Sequence, residues 1–147
     1  MNNFQLSYEA RLKKWHDLRE QLKDKDIKQK CIEVDVFWQQ CPLNNHYLHP
    51  IDIDVWPGPW ELIFDNNYCL YARALGMIYT LLLLGVNDID LVDAKDDNSE
   101  DVVLVLVDNA KYVLNYWPDT VLNNNLHDFK IVKHIDITPI TTKIGKL

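Results

Sequence analysis

Over residues 4–30 the apolar side chains Tyr8, Leu12, Trp15, Leu18 and Leu22 recur at steps of three and four, with charged residues filling most other positions. That spacing places them on one face and predicts a single amphipathic helix, whose stripe either covers the rest of the chain or grips a neighbouring subunit. The next stretch, "KCIEVDVFWQQCP", alternates: Ile32, Val34, Val36 and Trp38 fall on one side, Glu33, Asp35 and Phe37 on the other. A period of two predicts a half-buried strand, ended by Pro42. "LNNHYLHPIDIDVWPGP" carries the turn formers of an irregular connection. "NNYCLYARALGMIYTLLLLG" predicts a long helix, with Asn66 or Asn67 as its cap and Gly85 as its terminator. Leu75, Ile78, Leu82 and their neighbours nearly encircle it, so it must be surrounded by protein. A short polar loop follows. "DVVLVLVDN" and "KYVLNYW" then read as β-branched strands of a hairpin turning at "DNAK", and "HDFKIVKHIDIT" supplies a further alternating strand. This order predicts an α+β protein: an N-terminal helix over 1–30, then a domain over 31–147 with a buried central helix on an antiparallel sheet. No internal repeat is visible.

Composition narrows the function classes. A 147-residue chain with 48% hydrophobic and 25% charged residues has enough apolar material to bury a core without disulfides or metal. The net charge of −7 repels polyphosphate, so no nucleic-acid partner is expected. Lys130, Lys133, Lys143 and Lys146 make the tail locally basic, which reads as a solvated end. Cys31, Cys41 and Cys69 form an odd set without framework spacing and point to a reducing compartment. The start, "MNNFQLSYEARLKKW", lacks the apolar core of a signal peptide, and the uncharged run over 74–87 is too short to span a bilayer. A cytoplasmic protein without a membrane partner is expected. Cys31, Cys41, His46 and His49 are ligand types, but they lack the close pairs of structural zinc sites, so neither metal nor cofactor is expected.

Read as one block, "DVWPGPWELIFDNNYCLYARALGMIYTLLLLG" carries Asp54, Trp56, Pro59, Glu61, Cys69, Tyr71, Ala72, Leu84 and Gly85 at positions that resemble the core of the transglutaminase-like superfamily, in particular its bacterial cysteine-proteinase-like branch. That branch has an Asp-x-Trp segment, a Pro-x-Glu step, Gly-Asp-Cys at a helix start, then Tyr-Ala and a leucine-rich run ending in Leu-Gly. The resemblance covers residues 54–117 and continues more weakly into "DVVLVLV" and "YVLNYW", where the family places a His-led strand and an Asp-bearing strand. It implies a papain-like fold with Cys69 at the nucleophile position, Asp101 at or beside the histidine position and Asn115 at the position of the orienting Asp.

The chemistry explains the layout. A free thiol is mostly protonated at neutral pH, and a helix N-terminus with a nearby imidazolium favours the thiolate. A third polar group orients the imidazole, and backbone N–H groups stabilise the oxyanion of acyl transfer. Asn115 could hold an imidazole, but no histidine occurs between His49 and His127. Asp101 is a poor replacement: an ordinary Asp titrates about 4.6 units below a thiol, so full proton transfer would be uphill by roughly 6 kcal/mol. The family's Gly-Asp before the cysteine is also replaced, by Asn67-Tyr68, which brings a bulky ring beside the site.

Two expectations follow. The first is a transglutaminase-like domain with a vestigial site at Cys69, Asp101 and Asn115, acting as a structural, assembly or binding module with a protein partner, and forming an oligomer or larger assembly through the N-terminal helix. The Asn-, Asp-, Ile- and Lys-rich composition extends this to a virion component of a bacteriophage. The second is an active cysteine hydrolase or transamidase in which His46, His49, His127 or His134 reaches Cys69. The aromatics Trp56, Trp60, Tyr116 and Trp117 either line a cleft or pack around the central helix, while Glu61 and Asp54 are expected to cap or hydrogen-bond the loop ahead of it.

Overall fold

The Ser7 hydroxyl accepts the Ala10 N–H at 3.3 Å and so starts α1 (Tyr8–Leu22). In this computed structural model, which describes residues 2–44 and 48–144, the helix does not continue to residue 30. The chain turns after Leu22, and the Asp26 carboxylate caps a second helix, α2 (Ile27–Gln39), by accepting the Gln29 N–H at 2.8 Å. The single helix expected over 4–30 is therefore a 3-10 turn (Asn3–Gln5), α1 and the start of α2, and residue 30 lies within α2.

The strand expected from "KCIEVDVFWQQCP" is also corrected: this stretch belongs to α2 and its exit. Cys31, Val34, Phe37 and Trp38 are buried at helical spacing, whereas Val36 is exposed and Ile32 is half-buried. The stretch carries both periods. Packing of Val34 and Trp38 into the core selects the helical one over the β-branched preference.

A 3-10 turn (Pro50–Val55) and a short helix α3 (Pro59–Asp65) lead to the central helix α4 (Leu70–Leu83). Every residue of α4 from Ala72 to Leu81 is buried, as the encircling apolar pattern requires. It ends in a Schellman motif: Gly85 adopts φ 85°, its N–H reaches the Leu82 carbonyl at 3.0 Å, and the Val86 N–H reaches that of Leu81 at 3.0 Å. Lys30 donates to the Leu84 carbonyl at 3.2 Å, tying the start of α2 to the exposed end of this helix.

A single hydroxyl joins three helices. Trp15 of α1 and Trp38 of α2 each donate an indole N–H to Thr80 Oγ1 of α4 at 2.9 Å, and Thr80 donates to the Gly76 carbonyl at 2.7 Å. Close approach of α2 depends on Gly76, where an added Cβ would lie 2.5 Å from the Trp38 ring. The α1 stripe is turned into this core: Trp15 and Leu22 are buried, with Tyr8, Leu12 and Leu18 packed against it.

The sheet contains β1 (Ile89–Lys95), β2 (Asp101–Val107), β3 (Tyr112–Leu114) and β4 (Lys130–Ile135), in the order β3-β2-β1-β4 with antiparallel pairing throughout. The hairpin at "DNAK" forms as its pattern indicates. The segment read as a polar loop, by contrast, contains β1, which pairs with both β2 and β4. Ile89, Leu91, Val103, Val105 and Val107 join the core around α4. The alternate positions Val92, Ala94, Leu104, Leu106 and Val113 form a second cluster on the opposite face, packed against by Tyr116, Leu126 and Phe129. The molecule is thus a mixed helix-and-sheet fold with an antiparallel four-stranded sheet, and it contains no helix long and apolar enough to cross a membrane among the described residues.

Candidate functional site

Cys69 is itself the N-cap of α4, in extended backbone (φ −126°, ψ −176°) and without a side-chain capping bond. Asn66 plays a different part from the one its sequence position suggests: at φ 52° it closes α3, and its side chain donates to the Phe4 carbonyl at 3.0 Å. The Cys69 sulfur is nearly buried and accepts the Leu48 N–H at 3.4 Å.

Cys69 and Asp101 line the same cavity, of about 650 Å³, together with Tyr71, Asp93, Lys95 and Val132. The sheet register explains the grouping. Asp93 pairs with Val103 and Lys95 with Asp101, so these side chains share the face that Leu91 and Val103 turn toward α4. The polar groups are paired with one another: the Tyr71 hydroxyl donates to Asp93 at 2.6 Å, and Lys95 to Asp101 at 2.6 Å. Asp101 is held by Lys95, and no hydrogen bond among the described residues joins it to the thiol.

Asn115 lies elsewhere in the arrangement. Its backbone, at φ 72°, turns the chain out of β3, and its buried amide is occupied. Its Oδ1 accepts from Arg73 Nε at 2.6 Å, its Nδ2 donates to the carbonyls of Val103 at 2.8 Å and Leu70 at 3.2 Å, and its backbone N–H donates to Asp35 Oδ1 at 2.9 Å. It is a structural junction of α2, α4 and β2, with both ends of its amide engaged. Asp35 is 1% exposed, and burial pushes its carboxyl above the usual range against the opposing hydrogen bonds from Asn115 and Gln39 and the charge of Arg73.

Among the described residues the cavity lining includes no imidazole. His134 pairs with Val92, whose side chain belongs to the cluster on the sheet face away from α4, so His134 points away from Cys69. His127 is exposed in the 3-10 turn Leu126–Asp128. His49 is exposed, and its carbonyl accepts the Trp56 indole N–H at 2.9 Å. His46 lies outside the described residues, as does Lys146. Burial pushes the other two thiols, Cys31 and Cys41, both up to about 12, which disfavours their thiolates.

The Tyr68 ring does not crowd the cleft. It turns inward, fully buried, with its centroid 5.3 Å from that of Phe4 and 6.0 Å from that of Trp38. Trp56 is buried, Trp60 packs on Trp15 with centroids 4.9 Å apart, and the Tyr116 hydroxyl donates to Asp96 at 2.8 Å. Trp117 alone of those four aromatics is largely exposed, at 65%. Glu61 accepts the Gly58 N–H at 3.4 Å at the head of α3, as expected, and the Asp54 carbonyl accepts from Lys143 at 3.0 Å.

Sequence reasoning named Tyr71 only as a position of the resemblance, missed Asp93 because β1 went unrecognised, and missed Arg73. The signal for Arg73 was present: it is the lone charge in the α4 sequence "LYARALGMIYTLLL". No protein-family model matches the chain, and no curated protein is significantly similar to it in sequence.

Proposed function

We propose that this chain is a transglutaminase-like, papain-like domain that has lost its catalytic base and serves as a binding or assembly module for a protein partner. The observation that carries this reading is the cavity at the start of α4. Cys69 opens onto it, yet the described polar side chains that line it are Asn44 and the Tyr71–Asp93 and Lys95–Asp101 pairs, while Asn115, outside the lining, is engaged by Arg73 and two carbonyls. That set contains no imidazole, and Asp101, already bonded to Lys95, is a negative neighbour that opposes thiolate formation. A structural role in a larger complex, inside a cell or in a virion, agrees with this loss. An assembly contact through the N-terminal helix would use the outward face of α1, because the apolar stripe is spent inside the domain.

The test is the rate of iodoacetamide labelling at Cys69 across pH, followed by peptide mass spectrometry, with His46→Ala and His49→Ala alongside. The expected result is slow labelling at neutral pH that neither substitution changes. Rapid labelling at neutral pH that a histidine substitution abolishes would overturn the reading and establish an active cysteine hydrolase or transamidase.

A further inference from the structure

A second groove, of about 770 Å³, opens beside the Cys69 cavity, separated from it by shared residues that include Leu70 and Val103. Arg73 lines this groove. Its side chain is almost fully enclosed, with the residue 8% exposed, yet it makes one hydrogen bond among the described residues, from Nε to Asn115 Oδ1. The Nη donors of the guanidinium fork meet no acceptor among the described residues. Asp35 is the nearby internal counter-charge, but Asn115 lies between the two, bonding Arg73 through its side chain and Asp35 through its backbone N–H. Four of its five N–H donors are thus available to an acceptor that enters the groove.

We propose that this groove binds a ligand carrying one carboxylate close to a cation, such as the C-terminus of a peptide ending in lysine, with the carboxylate on Arg73 and the cation against the rim. The carboxylate matches the planar, bidentate geometry that a guanidinium fork offers. The rim supplies the rest of the selectivity. Glu100 lines it, Asp101 beside it being taken by Lys95, and net charge is negative over the whole chain, which opposes polyanions such as phosphate esters. The exposed Trp117 ring stands at the same groove, where it gives an alkyl-ammonium side chain both an apolar surface and a π-face. Asp96 is not available for this purpose, because it accepts the Tyr116 hydroxyl and the Asn98 and Glu100 N–H groups. The site does not depend on whether Cys69 reacts, so its failure and that of the pseudoenzyme reading are seen in different experiments.

The probe is N-acetyl-phenylalanyl-lysine with a free carboxyl, titrated into the full chain while the Arg73 Nε–Hε NMR signal and Trp117 fluorescence are followed. The same dipeptide as its C-terminal amide, free L-lysine and inorganic phosphate form the comparison arms. The acid is expected to shift both signals and to bind at least about tenfold more tightly than the amide, the loss of one charge-assisted pair. Arg73→Lys should remove that preference. Binding of free L-lysine as tightly as the dipeptide would support the site and identify a free amino acid as the source. Equal binding of acid and amide, an unmoved Arg73 signal, or phosphate binding as strongly as the dipeptide would overturn the proposal. Should Arg73→Lys fail to fold, the acid-to-amide comparison on the unaltered protein still decides.

Discussion

Replacing Thr80 by Val keeps the side-chain shape and removes one oxygen, and the structure assigns that oxygen three partners. The indole N–H groups of Trp15 and Trp38 both end on it at 2.9 Å, and it donates to the Gly76 carbonyl. Trp15, Trp38 and Thr80 are at most 1% exposed, so no solvent replaces the lost acceptor. Each buried donor left unsatisfied costs about 1–3 kcal/mol, which puts two of them at about 2–6 kcal/mol. The added methyl returns roughly 0.8 kcal/mol of burial, so the net loss should be about 1–5 kcal/mol. That is a large share of a domain stability of about 5–15 kcal/mol. Urea unfolding followed by tryptophan fluorescence reads the loss as a lower midpoint at unchanged slope. Trp15→Phe removes one orphaned donor, so its cost should be smaller in the Thr80→Val background than in the parent, a non-additivity expected of residues in one network. A Thr80→Val variant within about 0.5 kcal/mol of the parent, the range of an unremarkable surface change, would refute the shared hydroxyl and with it the docking of α1 and α2 on α4.

Gly76→Ala should destabilise despite Ala being the better helix former. The helix gains about 1 kcal/mol, but the new Cβ meets Cε3 and Cζ3 of Trp38 at 2.5 Å, and overpacking of a filled core costs about 1–3 kcal/mol. Since Trp38 is pinned by Thr80, a changed near-ultraviolet circular dichroism spectrum should accompany the lower urea midpoint; a stabilised variant with an unchanged spectrum would contradict the close α2–α4 contact. Asp35→Asn tests the buried carboxyl through pH. Because burial raises the folded-state pKa of Asp35, its contribution is most favourable below the ordinary carboxyl range and is lost as pH rises through the raised value. The stability of Asp35→Asn relative to the parent should therefore climb as pH is taken from about 4 toward neutrality. A relative stability that falls over that window would mean that the charge of Arg73 and the hydrogen bonds from Asn115 and Gln39 outweigh burial.

The parts of the fold legible in the sequence are those where one pattern stands without a rival. α4 is apolar on nearly every side, Gly85 closes it, and β2, β3 and β4 are β-branched or alternating runs with a turn between the first two. α2 was obscured because Ile32, Val34, Val36 and Trp38 spell a strand while Cys31, Val34 and Trp38 spell a helix, and only docking chooses. Its start was nonetheless marked: Asp26 followed three residues later by Gln29 is a helix N-terminus pattern. β1 was hidden by Asp90 and Asp93, which make "IDLVDAK" look polar. One acid is exposed, and the other accepts the Tyr71 hydroxyl, so neither prevents the strand from pairing on both sides. At the site, the position of Cys69 at a helix start was readable. The work of Asn115 was not, because a residue that bonds α2, α4 and β2 at once is defined by contacts distant in sequence.

The distribution of satisfied and idle polar groups around the start of α4 separates two capacities that a cysteine hydrolase would combine. On the Cys69 side Lys95 is paired with Asp101, and the Tyr71 hydroxyl satisfies Asp93 without cancelling its charge. The described cation on that side is thus already paired. One helical turn further along, Arg73 retains donors that no described protein atom accepts, at the edge of a groove with an exposed indole. Asn115 is what keeps these capacities apart, since it takes the Nε of Arg73 and stands between that cation and Asp35. If it instead oriented an imidazole toward Cys69, its Oδ1 would be lost to Arg73, and the guanidinium would be free to close on the unpartnered Oδ2 of Asp35. The same amide cannot serve a catalytic base and hold Arg73 open. On the two proposals made above, recognition on the Arg73 side and a thiol without a base on the other would be two consequences of one set of hydrogen bonds.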